Sequence, residues 1–166
     1  MRKQILSGLL PSVILLVCLS MAQPAAAASA EEEVLQVFTD FTRAMNTGDF
    51  ELVASLYRHS PETSQFLDAT GLPFLYQGWE AIENNLKPFF VYLKSSTGSN
   101  SFSMHHPQAV MFGDNGAVIT GYHNWVSTDQ ATKAVTQTQI RVTLAVQKIN
   151  GKWLITHEHA SAFPVK

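Results

Sequence analysis

The chain changes its hydrophobic period once, at "SSTGSN" (95–100), and that change limits the folds open to it. Upstream, apolar residues recur at helical spacing. Downstream they alternate along four long segments, 102–112, 117–127, 135–149 and 153–163, which read as strands. The turns "GDNG", "TDQATK" and "NG" separate them, so the second half is a four-strand antiparallel meander. Such a sheet needs cover on one face, and the first half supplies it. From Glu31, the residues Val34, Val37, Phe38, Phe41 and Met45 make a helical stripe, with glutamates in the first turn where the helix dipole favours them. Asn46, Thr47 and Gly48 close that helix, and Asp49 caps a short second one carrying Leu52, Val53, Leu56 and Tyr57. A loop, a short strand over 66–69 and a turn with Gly71 and Pro73 follow. A third helix starts near Gly78 and repeats Ile82, Leu86, Phe89, Phe90 and Leu93; Pro88 predicts that it kinks or ends early. The fold class is α+β, a curved antiparallel sheet with three helices packed on its concave face. No internal repeat or low-complexity linker divides residues 31–166, which read as one domain.

Residues 1–30 stand apart. Arg2 and Lys3, an apolar run broken by Ser7, Gly8 and Pro11, and the small residues of "AQPAAAASA" have the parts of a cleaved secretory signal, with cleavage after Ala28 or Ala30. The expected location is secreted or periplasmic, and the membrane is a partner for export only. Cleavage removes Cys18, the one cysteine, so no disulfide or thiol chemistry is available to the mature chain. Taking Arg2 and Lys3 from the eleven basic residues leaves nine against thirteen acidic ones. Without a basic cluster to neutralise phosphates, nucleic acid is excluded as a partner.

The element order, together with "NTGDFELVASLY", the "GW" that opens the third helix, "RVT" and "GKWLITHEHAS", resembles the SnoaL-like branch of the nuclear transport factor two and ketosteroid isomerase superfamily. The resemblance covers the whole mature chain. It implies a cone in which three helices close over a bent sheet and leave an apolar pocket. Members include isomerases, polyketide cyclases, dehydratases, the kinase association (hub) domain and non-catalytic binding modules, so the fold alone does not fix the chemistry. In the isomerase pattern Asp68 stands at the place of the base. Phe41 stands where the oxyanion tyrosine would be, and Leu144 at the second donor. With both donors missing, the preorganised hydrogen bonds that stabilise an enolate are absent and steroid-type isomerisation is disfavoured. In the hub pattern, the positions of the pocket arginines become His123, Leu144 and Ala160, so an anion-binding pocket of that kind is not kept.

The turn at Asn150 and Gly151 allows two registers for the last hairpin. A two-residue turn pairs Ile149 with Lys152 and puts Trp153, Ile155, His157 and His159 on the face of Ile140, Val142, Leu144 and Val146. A three-residue turn pairs Ile149 with Trp153 and puts Leu154, Thr156 and Glu158 there instead. The resemblance favours the second, which makes Glu158 a pocket carboxylate with His123 as its partner, a pair suited to general base work. His123, Asp68 and Glu158 are therefore the candidate catalytic residues. Phe41, Tyr57, Trp79, Trp125 and Leu144 are the candidates to line the ligand site. His157 and His159 share one strand face but lack a third ligand, so no metal is expected; with Arg141 and Thr143 they form an outer polar patch suited to a homodimer contact. The reading is an exported domain that binds a small apolar or aromatic molecule and, if catalytic, works as a cofactor-free isomerase, cyclase or dehydratase. The alternative is a non-catalytic binding or assembly module with a vestigial pocket.

Overall fold

A computed structural model describes residues 28–68, 74–96 and 98–163. Most of the segment expected to be a secretory signal, up to residue 27, and the expected turn at Gly71 and Pro73 lie outside the described residues. Helix α1 is Ala30–Thr47, α2 is Phe50–Leu56 and α3 is Trp79–Ser95. The strands are β1 (Ser64–Asp68), β2 (Phe74–Gln77), β3 (Asn100–Phe112), β4 (Gly116–Thr128), β5 (Val135–Ile149) and β6 (Lys152–Phe163). They form one curved, unclosed sheet in the order β2-β1-β6-β5-β4-β3, with the three helices on one face. The meander over β3 to β6 is as expected. The addition is its far edge: β1 runs parallel to β6, and β2, which the sequence shows only as a turn, pairs antiparallel with β1.

Local signals explain the helix ends. Ser29 and Glu32 form a reciprocal capping box at the start of α1, and Asp49 accepts the Leu52 N–H at the start of α2. Gly48 ends α1 in the left-handed region, where a Cβ would also sit 2.5 Å from the Lys94 backbone nitrogen. Gly121 on β4 does a different job: a Cβ there would lie 2.7 Å from the Phe38 ring, so α1 rests directly on the strand. The α1 stripe of Val34, Val37, Phe38 and Phe41 meets Ile119, Val142, Leu144, Val146 and Ile155 in the core.

Helix α3 passes through Pro88 without ending, contrary to expectation. Pro88 and Asn84 are both exposed, so the carbonyl that loses its amide partner faces water. Ile82 and Leu86 before the proline, and Phe90 and Leu93 after it, are all buried and hold the helix together on its inner side.

The last hairpin uses both registers. Asn150 and Gly151, with φ of 50° and 80°, make a two-residue turn that pairs Ile149 with Lys152 and Val146 with Ile155. A β-bulge then inserts Thr156, whose hydroxyl donates to the Ala145 carbonyl at 3.2 Å, and pairing resumes with Ala145 opposite His157 and Leu144 opposite Glu158. Trp153 and Ile155 are buried before the bulge, Glu158 and Ala160 after it. The three-residue turn is thus incorrect, while its consequence for Glu158 holds.

Candidate functional site

The bulge leaves a cavity of about 440 Å³ between the sheet, α1, β1 and α3, within the size range of small-molecule sites. Its walls are apolar: Phe41 and Met45 from α1, Leu86 and Phe89 from α3, and Phe102, Trp125, Ile140 and Val142 from the sheet. Strand periodicity supplies the polar floor. Gln65 and Leu67 of β1 point inward, and so do His123 of β4 and Glu158 and Ala160 of β6.

Glu158 is only 4% exposed. Its Oε2 accepts two hydrogen bonds, from the Tyr57 hydroxyl and from Gln65 Nε2 at 2.6 Å. Gln65 is steadied by Asn85 Nδ2, which donates to its Oε1 at 2.9 Å. Tyr57 is placed for this because it bridges to Ile155, just before the bulge. Both bonds fall on one carboxylate oxygen, and no described buried side-chain oxygen or nitrogen is left both enclosed and without a partner. Oε1 therefore opens onto the cavity. Burial raises the Glu158 carboxyl above the ordinary carboxylate range, against the pull of Tyr57 and Gln65. Burial, and then the Glu158 charge, push the Tyr57 phenol well up, so it stays a donor. A proton added to Glu158 goes to Oε1, since Oε2 already accepts twice.

His123, 2% exposed, does not pair with Glu158, contrary to expectation. Its Nε2 lies 2.8 Å from Thr42 Oγ1, which donates its own proton to the Phe38 carbonyl at 2.8 Å. Nε2 is therefore the protonated nitrogen, and Nδ1 is left as an acceptor. Rings of Phe38, Phe41 and Phe102 surround the imidazole. Burial, and then the nearby His105, lower its pKa to about 4, so it is neutral near pH 7.

The remaining candidates divide. Phe41 and Trp125 line the cavity, the latter stacked on Phe102 and donating Nε1–H to Asn100 at 2.9 Å. Tyr57 stands behind Glu158 and acts through it. Leu144 is sealed in the core opposite Glu158. Trp79 packs on Tyr57 and stacks on His59 at 4.0 Å, away from the cavity. Asp68 is exposed: with Gln65 and Leu67 inward, the pleat turns Phe66 and Asp68 to the outer face. On that face Phe66 meets His159, Ser64 bonds His157 Nδ1 at 2.8 Å, and Arg141 is exposed. Sequence reasoning missed Thr42, Gln65 and Asn85. The available signal was a polar residue interrupting an apolar face: Asn85 lies between Ile82 and Leu86 on the inner side of α3, and Thr42 follows Phe41. Among the described residues no group of three or more histidines, cysteines or carboxylates is placed to hold a metal, and no helix is long and apolar enough to cross a membrane.

Comparison with known proteins gives consistent results. The family model for the calcium/calmodulin dependent protein kinase II association domain matches residues 30–164. A solved structure from Xanthomonas campestris, described as such an association domain, is 28% identical, with a TM-score of 0.64 over 87% of this chain and 95% of its own. The S. rosetta hub of the same kinase is 20% identical, with a TM-score of 0.67 over 83% of this chain and 100% of its own. A nuclear transport factor 2-like protein from Salmonella enterica is 22% identical, with a TM-score of 0.66 over 82% and 92%. No curated protein matches the chain.

Proposed function

Because the chain belongs to the calcium/calmodulin dependent protein kinase II association-domain family, on a nuclear transport factor 2-like α+β fold, we propose that it is an exported, homo-oligomeric domain that binds a small apolar or aromatic molecule. The observation that carries the ligand reading is the apolar cavity floored by a buried carboxylate whose second oxygen has no hydrogen-bond partner among the described residues. The family match favours assembly, and the outer sheet face around Arg141, His157 and His159 is the surface we assign to contact between copies. Native mass spectrometry of the mature protein tests both parts. We expect two or more subunits and a released small molecule, with Ala160→Leu losing the molecule and keeping the subunit count, and Arg141→Glu raising the monomer fraction. A molecule retained by Ala160→Leu would refute the site, and an Arg141→Glu oligomer as tight as the parent would refute the surface.

Acid-base chemistry is the second reading, favoured by one feature: the Glu158 proton is delivered at Oε1, facing the cavity. Glu158 would then be the proton acceptor, and neutral His123 would orient a ligand donor through Nδ1. Deuterium uptake from solvent at the α-carbon of cyclic ketones should disappear in Glu158→Gln; uptake that persists rejects the role. Export is supported by the signal-like segment, and the capping box favours cleavage after Ala28, which keeps Ser29 as the helix cap. Protein recovered outside the cytoplasm should begin at Ser29, and an intact Met1 terminus counts against export.

A further inference from the structure

Every polar atom that opens onto the cavity from Glu158 and His123 is an acceptor. Glu158 presents Oε1, because Tyr57 and Gln65 both occupy Oε2. His123 presents Nδ1, because Nε2–H is held by Thr42. No lysine or arginine is among the described residues that line the space, and the titratable groups around it are Tyr57, Tyr92, His123 and Glu158. A buried carboxylate without a cation is costly, and two neutral donors on one oxygen offset only part of that cost. The rings of Phe41, Phe89, Tyr92, Phe102 and Trp125 complete the walls, and aromatic rings attract a desolvated cation.

Resting on the reading of this cavity as a ligand site, we propose that it selects a ligand carrying a protonated amine on an apolar body, with the ammonium on Glu158 Oε1 and the body among the aromatic walls. The ammonium supplies the charge the site lacks and donates to Glu158 Oε1, while the remaining polar lining, Gln65, Asn85 and Tyr92, is neutral. A carboxylate ligand would meet Glu158 as a like charge, and a neutral alcohol would satisfy one acceptor without balancing the charge.

Three probes of one shape test this by calorimetric titration: 2-phenylethylamine, 2-phenylethanol and phenylacetate. The amine should bind at least about tenfold tighter than the alcohol, and phenylacetate should give no measurable heat; a tenfold ratio corresponds to about 1.4 kcal/mol. In Glu158→Gln the amine's advantage over the alcohol should vanish. A measurement on the unaltered protein backs this up should the variant fail to fold. At a pH low enough for Glu158 to hold its proton in the free protein, amine binding should release protons, seen as a heat that changes with the ionisation enthalpy of the buffer; the alcohol should release none. Equal affinities for amine and alcohol, an amine preference that survives Glu158→Gln, or amine binding without proton release would overturn the amine assignment and leave the cavity a ligand site. Binding by none of the three, or binding that Ala160→Leu leaves intact, would remove both readings.

Discussion

The two halves of β6 perform different work although they lie on one strand and present their buried residues to the same side of the sheet. Before the bulge, Trp153 and Ile155 fill the space against the start of α1, where Glu33 receives both Lys148 Nζ at 2.7 Å and Trp153 Nε1 at 3.2 Å. After it, the inward residues are Glu158 and Ala160, one ionisable and one small, and the interior opens into a cavity. A single inserted residue, Thr156, separates the two parities. Were Thr156 paired as an ordinary strand residue, the residues that seal the core and the carboxylate that faces the cavity could not belong to one face, because a strand's side chains alternate strictly.

The sharpest test of this contrast compares the halves directly. Ile155→Ala should cost about 2–5 kcal/mol, since a fully buried side chain is cut back in packed surroundings. Ala160→Leu, which grows into empty space, should change stability by about 1 kcal/mol or less. Denaturant titrations read both, and equal losses would mean that the cavity side is as tightly filled as the core side.

A further test is the pH dependence, where the cavity half has two opposed titrations. Glu158 has a raised folded pKa, so the native state holds its proton longer, and stability from this group falls as pH rises above 4.5 toward the folded value. His123 has a folded pKa of about 4 against an ordinary 6.5, so the unfolded chain takes its proton first. Stability from this group is lost as pH falls from 6.5 to 4, on the order of 3 kcal/mol at full extent. Above pH 4.5 the two slopes oppose each other for as long as folded Glu158 keeps its proton and His123 is still titrating in the unfolded chain. Glu158→Gln should therefore steepen the loss on the acid side, and His123→Phe should flatten or reverse it. Identical stability-pH curves for parent and both variants would contradict the burial of these groups.

The same contrast explains what could be read from sequence. Strands β3 to β6 are legible to within two residues because burial on one face imposes a period that no helix shares. The hairpin register was not legible, since each candidate pattern is correct on one side of Thr156 and no glycine marks the bulge. Strand β2 was missed because "FLYQ" is largely exposed and owes its conformation to pairing with β1. Of the cavity-lining residues, Phe41, His123 and Glu158 were reached through the resemblance and Trp125 through its aromatic surface. The bonds that fix their protons join residues distant in sequence, Thr42 to His123 and Gln65 to Glu158, and spacing carries no trace of them. Asp68 was misplaced because a strand of only five residues does not reveal which parity faces in.

The direct seating of Phe38 on Gly121 has a mechanical consequence. With no side chain between them to act as a bearing, α1 cannot slide along β4 without a clash, and Phe38 also braces the His123 ring and takes the Thr42 hydroxyl. One wall of the chamber is clamped, so accommodation of guests of different girth falls to the opposite wall, α3, whose backbone already lacks one rung at Pro88. Amide hydrogen exchange should accordingly run faster along the middle of α3 than along α1, and guests of increasing bulk should widen that gap.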